Sequence, residues 1–369
     1  MADKPERPSK VNAGLPPLEN DEAWSWFEFL PLWFFYLPVV FYSVFLGLRY
    51  RCLSLPLLAN PTIPLAGMIG ESKAQVLAQA GPHARKMILP FVTWTYKGET
   101  AEAKQALSLA EEAGLPLPLV VKPDLGCRGL AVRVLRSEQD LCDYLGGFPK
   151  GQCFLLQQLA PWRAEAGVFY VRRPGEARGS IPSLTLKYFP SVVGDGQRDL
   201  QSLLQDNART RKLSGVYLSK PGMDGSHVLK KDEELALTFA GSHCRGSIFR
   251  DGRDYISKEL CLAIDTIMQD FPEFYYGRLD IKFRDIAALQ AGEDFCVIEI
   301  NGASSEATHI WDARCSIRDV FVTLFWQYRS LYEIGHVLRR QGRQPPPLGE
   351  LVRVWLANRG QSQHYPRGH

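Results

Sequence analysis

The sequence predicts an α+β fold. Strand-like and helix-like apolar runs interleave along the chain without settling into strict β-α-β units, which argues against a doubly wound parallel sheet. Two late runs, FYYGRLDIKF (Phe274–Phe283) and FCVIEING (Phe295–Gly302), have strand character but carry polar groups at alternate positions. Arg278 and Asp280 share one face of the first, with Lys282 following; Glu299 and Asn301 share one face of the second. Such charges ordinarily meet water. Two neighbouring runs with the same pattern point instead to paired strands with a polar floor. No internal repeat is visible.

The chain has 369 residues, enough for two domains or one composite domain. A net charge of +3, with no basic helix interleaved with aromatics, argues against nucleic acid. Eight scattered cysteines without C-x-x-C spacing fit a reducing compartment rather than a zinc or dithiol site.

The first element is FLPLWFFYLPVVFYSVFLGL (Phe29–Leu48), uncharged over a bilayer-spanning length. Asp21, Glu22 and Glu28 precede it, Arg49 and Arg51 follow, and Trp24, Trp26, Trp33, Tyr36 and Tyr50 flank or stud it as interfacial belts would. A membrane-associated helix is expected, re-entrant or kinked if Pro31 and Pro38 bend it, with the body in the cytoplasm (at the inner membrane if bacterial). A helix buried in the protein core is the competing reading. No cleaved signal peptide is expected, because no basic run directly precedes it and no small-x-small site follows.

Next comes a Pro-rich loop, SLPLLANPTIPLAG, then a helix in ESKAQVLAQAG, a strand in KMILPFVTW and an amphipathic helix in GETAEAKQALSLAEEAGL. Strand PLVVKP ends on Lys122, a loop with Gly126 and Gly129 follows, and a further strand begins at LAV. Such glycines turn backbone N–H groups toward an anion, and the lysine adds a fixed positive charge. It is not the helix-entry P-loop. Ser137 caps the helix in SEQDLCDYLGGF, with Asp140 at N3. Strands CFLLQQLA, AGVFYVRR and IPSLTLKYFP follow, the last holding Lys187. Helices are expected in RDLQSLLQDNARTRK, in SKELCLAIDTIMQDF and from Ile317 to Gln341, before a mobile basic tail after Pro345. Oxygen ligands such as Asp280, Glu299 and Asn301 suit Mg²⁺ that also holds phosphate.

VVKPDLGCRG, YYGRLDIKF and VIEING, in that order, resemble the ATP-grasp superfamily, most closely its D-alanine–D-alanine ligase-like branch. PSVVGDGQRDLQSLL is similar to the ATP-grasp part of cyanophycin synthetase. The resemblance covers about Val120 to Ile310. It implies an ATP-grasp fold, two α+β subdomains clamping ATP, with Mg²⁺ or Mn²⁺. It also implies a ligase that activates a carboxylate as an acyl phosphate for an amine or related nucleophile. Lys73, Lys122 and Lys187 would then hold phosphates, Glu165 the ribose, and Gln157, Gln158 and Leu159 the adenine hinge. Asp280, Glu299 and Asn301 would bind metal, and Arg278 would stabilise the acyl-transfer intermediate. Expected boundaries are 1–57 for the tail and apolar segment, 58–118 for a small α/β region, 119–335 for the ATP-grasp domain and 336–369 for the tail. Expected partners are small-molecule or lipid-linked substrates and the membrane.

NGASSEATH lacks the Pro-Gly turn of those ligases, and their N-terminal domain is truncated here, so the resemblance does not transfer a substrate. A kinase on the same fold and a non-catalytic nucleotide-binding membrane protein remain alternatives. Glu306 and His309 are candidates for the substrate site; Cys127 and His243 read as structural, and Asp195 as a turn former.

Overall fold

The structure is a computed structural model that describes residues 10–18, 30–99, 101–126, 129–220, 222–242, 246–359 and 365. The helices are α1 (Leu32–Arg49), α2 (Lys73–Ala78), α3 (Pro82–Met87), α4 (Glu102–Glu112), α5 (Glu138–Leu145), α6 (Leu200–Leu203), α7 (Ala208–Leu218), α8 (Lys258–Gln269), α9 (Ile286–Ala291), α10 (Ile317–Arg340) and α11 (Leu348–Asn358). The strands form two main antiparallel sheets. The smaller has order β1 (Phe91–Thr95), β4 (Cys153–Gln158), β2 (Leu119–Pro123), β3 (Arg133–Leu135). The larger has order β11 (Phe295–Asn301), β10 (Tyr276–Phe283), β5 (Ala164–Val171), β6 (Ser180–Tyr188), β9 (Ile248–Asp251). A ribbon of β7 (Ser191–Val193) and β8 (Glu234–Ala236) stands apart.

Period two divides the large sheet. Leu279, Ile281 and Phe283 join Ala164, Ala166, Val168, Leu184 and Leu186 in one core, covered by Leu260, Ile264 and Met268 of α8. Arg278, Asp280 and Lys282 take the opposite face. The small sheet has its own core, where Leu119, Val121, Phe154 and Leu156 pack under α4 and α5. Tyr365, far along the chain, completes that core: its ring stacks on Phe148 with centroids 5.4 Å apart.

Local signals account for most boundaries. The Ser137–Asp140 capping box opens α5 as expected. Asn207 caps α7 and splits the single helix expected in RDLQSLLQDNARTRK into α6 and α7. PHARKM forms α3 where the strand KMILPFVTW was expected to begin, so β1 starts only at Phe91. Residues 129–132 form a turn, and β3 begins at Arg133 rather than at LAV. The tail expected to be mobile contains α11.

The apolar N-terminal segment corrects the main expectation. Among the described residues, no helix is long and apolar enough to cross a membrane. Helix α1 has 18 residues and ends on Arg49. At 1.5 Å per residue it is about 27 Å long, short of the ~30 Å hydrocarbon core. One face belongs to the protein: Phe35 and Val39 pack with Val320, Leu324 and Trp311, and Leu46 packs with Leu55 and Tyr332. Ser43 and Tyr332 share a hydrogen bond of 3.2 Å. The helix therefore docks on α10. The expected membrane-associated helix, the membrane anchor, the membrane and lipid-linked partners and the inner-membrane location are overturned. Phe29, the flanking Asp21, Glu22 and Glu28, and Trp24 and Trp26 lie outside the described residues. The outward residues of α1 stay exposed, Phe41 at 67 % and Leu48 at 71 %.

Docking predicts unequal costs along one apolar helix. Phe35→Ala empties a buried site and should cost about 3–5 kcal/mol. Phe41→Ala should stay within about 0.5 kcal/mol. Urea unfolding of both variants checks this, and equal midpoints would mean that α1 does not pack on α10.

Candidate functional site

The site starts from strand register. Across β10 and β11, Arg278 faces Asn301 and Asp280 faces Glu299, but Ile281 faces Val297. Ile298 is therefore a bulged extra residue. Its carbonyl accepts a hydrogen bond of 2.8 Å from Lys122 Nζ, reaching over from the small sheet. The bulge thus ties the two sheets together beside the carboxylates. Gly167 lies opposite Asp280 on β5, and an added Cβ there would sit 3.2 Å from the Arg278 side chain and 3.4 Å from Asp280 Oδ1. Glycine leaves the room in which those two charges meet.

Three lysines converge here, each held differently. Lys187 Nζ lies 2.8 Å from Asp280 Oδ1 and 2.9 Å from Glu165 Oε1. Burial lowers a lysine pKa, but the two carboxylates outweigh it and the net shift is upward. For Asp280 burial works upward as well, yet Arg278 and Lys187 pull it down to about 2. Arg278 Nε donates to Asp280 at 3.1 Å. Lys122 donates to neutral oxygens, Gln157 Oε1 and Ile298 O, both at 2.8 Å. Burial, the largest influence, pushes Lys122 down to about 8. Lys73 donates to Gly126 O at 2.5 Å, and Glu299 is 3.9 Å away.

These groups line one cavity of about 240 Å³ between the sheets. Lys73, Lys122, Gly126, Gly129, Lys187, Arg278, Asp280, Glu299 and Asn301, all expected from the sequence, border it. Glu165, Gln157, Gln158 and Leu159 do not border it. Glu165 is buried between Lys187 and Lys282, the latter 3.0 Å away, so its carboxylate is engaged in the fold rather than turned to a ribose. Gln157 is buried and holds Lys122, while Gln158 is exposed at the end of β4. Of the substrate-site candidates Glu306 borders the cavity, whereas His309 is buried, with Nδ1 2.7 Å from Ser183 Oγ. Burial, with Arg253 adding to it, lowers the His309 pKa to about 4. Asp195 accepts hydrogen bonds from Gln197 N and Arg198 N, both at 2.8 Å, and shapes its turn as expected. Cys127 and His243 lie outside the described residues.

Several site residues escaped sequence reading. Glu71 accepts the Gly302 N–H at 2.9 Å and is pushed up to about 8, chiefly by burial, which outweighs that bond. Its one signal was a carboxylate two residues before Lys73. Glu71 itself lies behind the cavity wall, whereas Tyr36, Phe249, Thr308 and Trp311 border the cavity, and nothing in their local sequence marks them.

Among the described residues no group of three His, Cys, Asp or Glu side chains is placed to hold a metal. Mg²⁺ needs fewer: it keeps several waters and takes one or two carboxylates plus phosphate oxygens. Asp280 and Glu299 face each other in register, and the Asn301 side-chain amide has a buried Nδ2 with no hydrogen-bond partner. A half-turn of that amide presents its oxygen instead. The donor set fits a hydrated hard cation.

No family model matches the chain, and no curated protein matches it. Among solved structures it is similar to a bifunctional glutathione synthetase from Pasteurella multocida, at 16 % identity and TM-score 0.35, over 67 % of this chain and 35 % of that one. It is similar to the VanG D-Ala:D-Ser ligase from Enterococcus faecalis at 12 % identity and TM-score 0.37, over 70 % of this chain and 63 % of the other. A D-alanine–D-alanine ligase from Bacillus anthracis gives 12 % and 0.38, over 74 % and 72 %. The chain thus spans about a third of the synthetase and under two thirds of VanG. Similarity at this level leaves the assignment to the sheets and the cavity themselves.

The two buried lysines should respond oppositely to loss of charge. Lys122 has a folded pKa near 8 against its usual 10.5, so the unfolded chain binds more protons between those values and stability rises with pH there. Lys122→Met should be at least as stable as wild type at pH 7, and the gap should close as pH rises from about 8 to 10.5. Lys187→Met takes one cation from each of two buried carboxylates, leaving Asp280 to Arg278 and Glu165 to Lys282, and should cost about 3 kcal/mol. Thermal unfolding across that pH range tests both, and a gap that widens with pH would reverse the Lys122 assignment.

Proposed function

We propose that the chain is an ATP-dependent, Mg²⁺-requiring ligase of the ATP-grasp type, joining a carboxylate to an amine or related nucleophile through an acyl phosphate. One observation carries this reading. Lys122 is a cation tethered between the two sheets by neutral oxygens, and Lys73 is held by the Gly126 carbonyl near Glu299, both beside a floor of Asp280, Glu299 and Asn301. A cation held by carbonyls keeps its charge available for an anion, and a carboxylate floor beside it suits a metal-bound polyphosphate.

The residues divide the work. Lys122 and Lys73 bind and orient the phosphates. Arg278 and Lys187 together keep Asp280 ionised, and both border the cavity. Asp280, Glu299 and Asn301 would hold Mg²⁺, which when bound would offset phosphate charge and align the phosphoryl group. A substrate carboxylate oxygen bonds to the γ-phosphorus as the bond to ADP breaks. The nucleophile then bonds to the acyl carbon, phosphate leaves and the nucleophile loses its proton. Arg278 lies beside Asp280 and supplies positive charge for the oxygen that becomes negative in the second step.

Glu165 serves this scheme by fixing Lys187 and Lys282. Gln158 and Leu159 stay the proposed adenine contacts, at the end of β4 beyond the cavity. A volume near 240 Å³ admits only part of a nucleotide. The glycine loop and the loop at Ala240 meet closely: Gly129 has φ +67°, and an added Cβ would come within 2.5 Å of Ala240 Cβ.

Glu299→Gln should lower Mg²⁺-dependent ATP turnover at least about 100-fold with an unchanged apo melting temperature. The substrate screen that measures it also separates chemistries. ADP, free phosphate and a new amide support the ligase; ADP and a phosphorylated acceptor without free phosphate would replace it with a kinase. Wild-type turnover in the variant would remove Glu299 from the metal site.

A further inference from the structure

The cavity has a second end, built of different material from the phosphate end. Its wall is Tyr36 from α1, Phe249 from β9 and Trp311. These belong to one apolar cluster, in which Phe35 fixes Trp311 edge-on at 5.4 Å. Glu306 stands beside that wall. It accepts a hydrogen bond of 3.3 Å from the Trp311 indole N–H, and its backbone carbonyl accepts one of 3.3 Å from Arg278. Three carboxylates border the cavity. Asp280 is paired with Lys187 and Arg278, and Glu299 lies near Lys73. Among the described residues Glu306 has no lysine or arginine partner. Thr308 Oγ1, also at the cavity, is buried without a hydrogen-bond partner. A partly buried carboxylate without its cation, beside an aromatic wall, lacks a counterpart that the protein does not supply.

We infer that this end seats the nucleophile, and that it takes a primary amine whose ammonium rests on Glu306 and whose apolar body lies against Tyr36, Phe249 and Trp311. The inference rests on the ligase reading above. The ammonium supplies the missing cation, and the aromatic faces attract both the charge and the hydrocarbon attached to it. Burial raises the Glu306 pKa, and an ammonium beside it restores the charged form. The same geometry excludes an acid here, because a substrate carboxylate would face Glu306. The acid falls to the end where Arg278 and the lysines gather.

Two probes that share a phenylethyl body and carry opposite charge test this: 2-phenylethylamine and 3-phenylpropionate, titrated by ligand-observed NMR into the full chain loaded with Mg²⁺ and a non-hydrolysable ATP analogue. The amine should bind at least about tenfold more tightly than the acid, and more tightly than ethylamine, which lacks the ring. Glu306→Gln should weaken the amine about tenfold or more, and Tyr36→Ala should weaken it too, while affinity for the ATP analogue stays within about twofold. Preference for the acid, indifference to Glu306→Gln or no amine binding would overturn the inference. If the wild type does not bind the ATP analogue, the ligase reading fails instead, and the amine titration without nucleotide still judges the pocket. Should Glu306→Gln not fold, the comparison of the two probes on wild type decides alone.

Discussion

Lys187 stands between Asp280 and Glu165 on three neighbouring strands, and the geometry of the site depends on that one cation. Cross-strand register pairs Glu165 with Lys187 on one side and with Lys282 on the other. A slip of one residue would drive all these charges into the apolar layer beneath α8. Paired buried charges add little net stability, since desolvation offsets most of the attraction. They do fix alignment, and here alignment holds Asp280 opposite Glu299 and Arg278 opposite Asn301. The bulge at Ile298 then extends the order to the second sheet through Lys122.

Much of this was legible in the sequence. Alternation of Arg278, Asp280 and Lys282 with Leu279, Ile281 and Phe283 disclosed a strand with two different faces, and eight of the nine residues that border the cavity as expected lay in strand runs or in the glycine loop, the ninth, Lys73, opening a helix. Partnership was not legible. Glu165 read as a free carboxylate because its cations lie 22 and 117 positions along the chain, at Lys187 and Lys282. Glu71 gave no sign that burial would hold its proton. Helix α1 shows the limit most clearly. An uncharged apolar run has the same composition whether lipid or protein covers it, and the deciding surface is α10, near the other end of the chain. Short capped helices such as α3 and α6 are set by single residues, Pro82 and Asp199, that a periodicity search passes over.

The site is therefore assembled from three sources. The large sheet gives the carboxylate floor, the small sheet gives Lys122 and the glycine loop, and the N-terminal helix gives part of the aromatic wall. Burial distributes their roles. Where a lysine is ion-paired with carboxylates it stays charged and structural, as Lys187 does; where its hydrogen bonds go only to neutral oxygens, as those of Lys122 do, burial outweighs the pull of the nearby carboxylates.

Tyr365 has a consequence for how the chain reaches this state. Its ring fills part of the small-sheet core, stacked on Phe148 near Phe154, although those residues precede it by roughly 200 positions. A chain made from its N-terminus finishes β1 through β4 long before that ring exists. The small sheet must wait with an incomplete core while the large sheet, α10 and α11 are synthesised. The Tyr365–Phe148 stack is thus a long-range contact, and it can form only after the segment carrying Tyr365 has been made.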